Sequence, residues 1–302
     1  MTTLETGKRI ALRNVMFATD FSACSDVALP YALAIARQYE AKLFAAHVMA
    51  CEDYMFATPD LWPAYVQRDA ALEKEAGERL DKQFPEIAHK SLVARGDVWP
   101  SLSRLAASHG IDLLVVGTHG RTGARKLLMG SVAEKIFRQA ACPVLTVGPK
   151  APPKKAEEIT FQHILFATNF GPESLHAVSY AVSLAAENEG EVTLLHVVEQ
   201  PAAGVPDLEN MKLRLARRLA DLVPGESAPW CKVEYVVRFS SQYASPAERI
   251  LEVARERAAD LIVLGVKPAE GGAGTTARLA HTTAQQVVAH ALCPVLTVRA
   301  ED

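Results

Sequence analysis

Short apolar runs alternate with longer amphipathic stretches along the whole chain, and that alternation predicts an order of strands and helices. Asn14–Ala18 reads as a strand. Over 22–39, apolar residues fall at 28, 29, 32, 33, 35 and 36, which is the spacing of one helix face, with Ser22 or Ser25 as N-cap. Leu43–Val48 is a second strand, and the aromatic- and proline-rich stretch 50–65 reads as a loop. A charged helix over 67–83 is ended by Pro85. The first half closes with a strand at Ser91–Ala94, a helix at Trp99–Ser108, a buried-type strand at Asp112–Val116 running into Gly117, a helix at Gly130–Ala140 and a strand at Pro143–Val147. The second half repeats this order. Its strands are His163–Ala167, Glu191–Val197, Lys232–Arg238, Leu261–Gly265 and Pro294–Val298, and its helices are Glu173–Asn188, Asp207–Leu222, Ala247–Ala258 and Thr283–His290. Strands that alternate with helices imply an α/β fold, a mainly parallel sheet with helices on both faces.

The residues repeat as well as the pattern. Phe17-Ala18-Thr19-Asp20-Phe21 returns as Phe166-Ala167-Thr168-Asn169-Phe170, 149 positions later. Cys142-Pro143-Val144-Leu145-Thr146-Val147 returns unchanged from Cys293 to Val298, 151 positions later. Ala46-His47-Val48 answers to Leu195-His196-Val197. The period is too long for a solenoid repeat, so the reading is a duplicated domain. The polar, proline-rich segment 148–155 is a short, stiff linker between residues 1–150 and 151–302.

Composition narrows the function classes. The 302 residues carry 32 Lys and Arg against 35 Asp and Glu, a formal charge of −3. That balance offers no basic surface for nucleic acid and no polybasic membrane anchor. No apolar run reaches bilayer length and the N-terminus has no secretory h-region. Five cysteines without clustered spacing speak against a disulfide framework or a metal knot. The expectation is a soluble, cytoplasmic protein in a reducing setting.

In an open parallel sheet, ligands bind beyond the carboxyl ends of the strands where the strand order reverses. Asp20 lies just past the first strand, and Gly117 ends the fourth and opens the glycine-rich stretch 117–131. Gly117, Gly120 and Gly130 let backbone N–H groups approach phosphate oxygens, and a helix starting at Gly130-Ser131 adds a positive end. Arg121, Arg125 and Lys126 place positive charge nearby. From this physics alone, an anion site and a solvated basic surface loop stand side by side. The Walker A run is absent, and neither first strand is followed by GxGxxG.

Gly117-x2-Gly120-x9-Gly130-Ser131 resembles the G-x2-G-x9-G-[ST] signature of nucleotide-binding universal stress proteins. The Thr19-Asp20 strand end, the His47-Val48 pair, the Gly130-Ser-Val-Ala-Glu-Lys135 helix start and the Cys-Pro-Val-Leu-Thr-Val strand resemble that family too. The resemblance covers both halves. It implies two tandem Rossmann-like domains, each a five-stranded parallel sheet with helices on both faces. It also implies ATP, or ADP or AMP, in the first half. Ala18, Thr19, Asp20 and the Val48 backbone would hold adenosine. Gly117, Gly120 and Arg121 would follow the ribose and phosphates, with Gly130, Ser131 and Val132 on the phosphates. Mg²⁺ is a candidate bridge between phosphate oxygens. The family's last strand often pairs antiparallel with that of a partner domain, so the two Val-Leu-Thr-Val strands are expected to pair within this chain. Further homo-oligomerisation is left open.

The second half departs from the signature. Asn169 replaces Asp20, Pro268 stands where the second glycine belongs, and His281-Thr282 aligns with Gly130-Ser131. Gly271–Thr276 reads as a flexible loop rather than an anion nest. The second half is therefore expected to be degenerate for ATP, and either structural or adapted to something else. Among single residues, Asp20 has a helix-capping reading beside the functional one, and His47 and His196 read as satisfied strand-end histidines. Cys142 and Cys293 read as small apolar residues. Cys24, near a helix N-terminus, could have a lowered pKa, though no resolving cysteine is adjacent. Three functions follow: a nucleotide-binding regulatory module, a slow ATPase with Asp20 as base or metal ligand and Arg121 as stabiliser, or a nucleotide-independent interaction protein. The first absorbs most of the features; the second lacks a third member for its constellation.

Overall fold

The computed structural model describes residues 10–49, 62–84, 87–118, 129–199, 207–223, 231–241, 243–267 and 282–299, with the backbone alone at 62–65. The first half runs β1 (Asn14–Ala18), α1 (Ala23–Gln38), β2 (Lys42–Met49), α2 (Trp62–Gln83), β3 (His89–Arg95), α3 (Val98–Ser108), β4 (Leu113–Gly117), α4 (Ser131–Gln139) and β5 (Val144–Val147). The second runs β6 (His163–Thr168), α5 (Pro172–Glu187), β7 (Glu191–Val198), α6 (Leu208–Ala220), β8 (Lys232–Phe239), α7 (Pro246–Glu256), β9 (Leu261–Val266), α8 (Thr283–His290) and β10 (Val295–Arg299). Each element falls where the apolar pattern predicts it. The differences have one main cause. Helices α2, α5 and α7 start earlier than expected, at Trp62, Pro172 and Pro246, because proline is tolerated in a first turn, where its missing N–H has no partner to lose. The expected loop 50–65 is therefore helical from Trp62, and the rest of it, like Pro85, lies outside the described residues.

All ten strands form one sheet, in the order β3-β2-β1-β4-β5-β10-β9-β6-β7-β8. Every pair is parallel except β5 with β10, which is antiparallel and sets Thr146 against Val295 and Thr297 against Val144. The repeated Thr has a role at this seam. Thr146 Oγ1 donates to Val295 O at 3.1 Å, and Thr297 Oγ1 donates to Val144 O at 3.3 Å. Each buried hydroxyl is satisfied by the opposite strand, and pairing covers what would otherwise be two open sheet edges.

The two faces of the sheet are built differently. One carries a single apolar cluster shared by both halves, from Ala28, Ala32 and Ile35 of α1 to Ala177, Val178 and Ala181 of α5. The other carries two clusters, one under α3 and α4 and one under α7 and α8. The second of these also takes in Phe137 of α4, which is 6% exposed. Just after the linker comes a short 3-10 turn at Ala156–Glu158, and Arg37 of α1 pairs with its Glu157 at 3.2 Å on the exposed surface. None of the described helices is long and apolar enough to cross a membrane.

Candidate functional site

The strand order reverses between β1 and β4, and a cavity of about 300 Å³ opens there beyond their carboxyl ends. Its wall brings together Ala18, Thr19, Asp20, Val48, Gly117, Gly130, Ser131 and Val132, eight of the ten residues implied by the family resemblance. Gly120 and Arg121 lie outside the described residues, as do His119, Arg125 and Lys126. Sequence reasoning did not single out the apolar part of the wall: Ala46, Val98, Leu102, Val116 and Ile136. They are ordinary core residues of β2, α3, β4 and α4, and only the tertiary packing marks them as lining. The two ends of the glycine-rich stretch are held together, since Gly130 N donates to Thr118 O at 2.8 Å and Thr118 N to Val147 O at 3.0 Å.

Gly117 has a packing requirement in addition to any ligand. A Cβ there would sit 2.9 Å from Cys24 O and 3.1 Å from Ser25 N, in the backbone of the first turn of α1. Only glycine lets that turn rest on the end of β4. Gly265 has the same role at the end of β9, where a Cβ would come within 2.6 Å of Glu173 O.

Asp20 has both a structural and a site position. Its Oδ1 accepts from Ser22 N at 3.0 Å, a local turn that leads into α1, while Ser22 is the N-cap and accepts from Ser25 N. Asn169 reproduces the turn, accepting from Gly171 N at 2.8 Å, so the replacement removes the charge and keeps the geometry. The histidines are held in matching ways. His47 Nδ1 is 2.7 Å from Thr19 O, and His196 Nδ1 is 2.8 Å from Thr168 O. Each ring lies 4.4 Å from a phenylalanine, Phe21 or Phe170, whose φ is positive at 60° or 62°. The N–H of that phenylalanine is bonded to a threonine hydroxyl at 2.9 Å in each half. A guanidinium, Arg79 or Arg218, sits 4.1 Å above each phenylalanine ring. This Arg–Phe–His stack shapes the turn after the first strand in both halves.

The reactive-thiol reading of Cys24 is corrected. Burial, and after it the nearby Asp20 carboxylate, push its thiol above the ordinary value, so the expected lowering does not occur. Burial likewise pushes Cys142 up to about 11 and Cys293 up to about 12, as befits small apolar residues.

The helix starts beside the two strand-order reversals differ. At α4 the N-cap is Gly130, with no side-chain cap. At α8 the N-cap is Thr282, one position later than the alignment of Thr282 with Ser131 suggested. Thr282 and Gln285 form a capping box: Thr282 Oγ1 accepts from Gln285 N at 3.3 Å, and Gln285 Oε1 accepts from Thr282 N at 2.9 Å. The donors at α4 stay available to an anion, whereas those at α8 are partly used by the protein itself.

The model of the universal stress protein family matches residues 11–148 and again 160–299. The chain belongs to the universal stress protein family. The double match makes it a tandem member, as the internal repeat anticipates. A universal stress protein of Methanocaldococcus jannaschii, MJ0531, is 29% identical over 150 residues, which is 47% of this chain and 85% of that protein. The crystal structure of a universal stress protein from Archaeoglobus fulgidus superposes with a TM-score of 0.66 at 20% identity, covering 95% of this chain and 98% of that one, a likeness of fold. Another universal stress protein, solved in complex with cAMP, is 27% identical, covers 46% of this chain and 98% of its own, and has a TM-score of 0.32.

Proposed function

We propose that the chain is a regulatory module that binds one adenine nucleotide, ATP or its ADP or AMP relatives, in the first-half cavity. The observation that carries the reading is the α4 N-terminus without a side-chain cap, opening beside Asp20 at the end of a complete G-x2-G-x9-G-S signature. The residues suit such a ligand. The apolar wall of Val48, Val98 and Leu102 accepts a purine, and Thr19 and the Asp20 carboxylate face ribose hydroxyls. The backbone N–H groups of Ser131 and Val132 and the Ser131 hydroxyl meet phosphate oxygens, while Gly130, its own N–H held by Thr118 O, keeps the helix start free of a side chain. Gly117 brings the backbone close, and Gly120 and Arg121 continue the phosphate side. When bound with the nucleotide, Mg²⁺ supplies charge neutralisation between phosphate oxygens.

In this reading residues 1–150 form the nucleotide domain and residues 151–302 a domain degenerate for ATP, in one cytoplasmic chain. The β5–β10 seam does within the chain the pairing that a dimer of single domains would do between chains, and a partner protein reads the nucleotide state. Calorimetric titration of the full chain with Mg-ATP tests this. One equivalent is expected, with Ser131→Ala and Gly130→Ala each at least fivefold weaker and Thr282→Ala unchanged. Two equivalents, or equal affinity in all four proteins, would remove the assignment.

A further inference from the structure

The second half has a cavity of its own at the equivalent place, where the strand order reverses between β6 and β9, and at about 460 Å³ it is the larger of the two. We propose that it is a separate ligand site for an uncharged or cationic organic molecule of nucleoside size, and that it excludes phosphate-bearing ligands. Three observations lead there.

The first is a carboxylate in the wall. Glu173, in the first turn of α5, is 3% exposed yet lines the cavity, and its Oε1 accepts from Asn169 Nδ2 at 3.1 Å. Its counterpart in the first half is Cys24. The first cavity has its acid, Asp20, ahead of the helix, whereas here Asn169 takes that place and the acid sits buried on the first turn of α5 itself, occupying the positive helix end that a phosphate would need. Glu199 adds a second carboxylate.

The second is the use of the available donors. The α8 N-terminus is partly taken up by its capping box, which engages the N–H groups of Thr282 and Gln285. Arg138, which also lines the cavity, pairs with Glu134 at 3.0 Å, so among the described lining cations Lys267 is the one that no described ion pair engages.

The third is construction. The wall is apolar over Ala167, Leu195, Val197, Ile250 and Leu264, but it is not made by the second half alone. Phe137 and Arg138 of α4 complete it, and α4 is fixed there by Gln285 Nε2 donating to Glu134 Oε1 at 3.4 Å and by Arg299 Nη2 donating to Phe137 O at 2.7 Å. The same α4 presents Ser131, Val132 and Ile136 to the first cavity. A merely degenerate copy need not be roomier than the original, nor be lined by a neighbouring domain and a buried acid.

The test uses three compounds that share an adenosine body and differ at the 5′ position: 5′-amino-5′-deoxyadenosine, adenosine and AMP. Each is titrated calorimetrically into the full chain, with and without saturating AMP. The amine is expected to bind at one equivalent whether or not AMP is present, in the order amine, adenosine, AMP for this site. Glu173→Gln should weaken the amine at least tenfold and leave AMP unchanged. Ala167→Leu, which narrows the cavity without touching the acid, should weaken amine and adenosine alike, with its folding checked by thermal melting. No amine binding, displacement of the amine by AMP, or indifference to Glu173→Gln would each overturn the proposal. Failure of AMP alone to bind would count against the first-cavity reading and leave this one standing.

Discussion

The two halves share fold, turn and strand end, yet their cavities are finished with different chemistry, and the difference is concentrated in very few side chains. Gly130 leaves a helix start without a side-chain cap, whereas Thr282 and Gln285 cap the corresponding one. Cys24 is a half-buried thiol, whereas Glu173 in its place is a buried acid that lines the wall. The two halves therefore share what holds the backbone and differ in what lines the cavities. The Arg–Phe–His stack, the glycine at the end of β4 and β9, and the threonines of the β5–β10 seam are present twice because each solves a packing problem that recurs.

The shared glycine offers the strongest way to break the comparison. Gly265→Ala forces a methyl group into backbone that would lie 2.6 Å away, and should cost about 3 kcal/mol, while Gly117→Ala, with contacts of 2.9–3.1 Å, should cost about 1–2 kcal/mol. Urea denaturation of both variants measures this; equal losses would mean that the turn of α5 relaxes freely.

The helix starts can be exchanged next. Gly130→Asp gives α4 an internal cap and a negative charge, and should weaken ATP more than tenfold, at least about 1.4 kcal/mol, without lowering the melting temperature. Unchanged ATP affinity would show that the start of α4 is not where phosphates sit. A smaller effect is expected at the seam. Thr146→Val and Thr297→Val each remove one buried hydroxyl bond and should each cost about 1 kcal/mol, adding to about 2 together. A larger loss on one side would show that the two cross-seam bonds are unequal.

The smallest effect is a pH dependence. Burial, and to a lesser degree the Arg218 charge, hold His196 below its ordinary value of 6.5. The unfolded ring protonates first as pH falls, so its contribution to stability is complete above about pH 6.5 and is lost as pH drops toward the folded value. The melting temperature should therefore fall between pH 7.5 and 5.5, and His196→Gln should flatten that slope. An unaltered slope would assign the acid sensitivity to other groups.

The order of elements was legible in the sequence because each strand and helix carries its own periodicity, and the repeat of Phe-Ala-Thr and Cys-Pro-Val-Leu-Thr-Val doubled the signal. Helix starts at prolines were misjudged, since the first-turn tolerance of proline is invisible to a rule that treats it as a breaker. The polar part of the first cavity was legible because glycine spacing and a strand-end acid are local features. Its apolar wall was not, because Val98, Leu102 and Ile136 look like any other core residues until the chain is folded.

The sequence by itself determined the duplicated α/β architecture, the family and the asymmetry of the glycine signature, all of which are written in short segments read one at a time. Only the tertiary structure decided that Gly117 and Gly265 are required by helix turns resting on strand ends, and that Cys24 is not activated. The same holds for the second cavity, roomier than the first and completed by a helix of the other half. Those facts depend on distances between residues far apart in the chain, and burial and close approach exist only once the sheet has joined them.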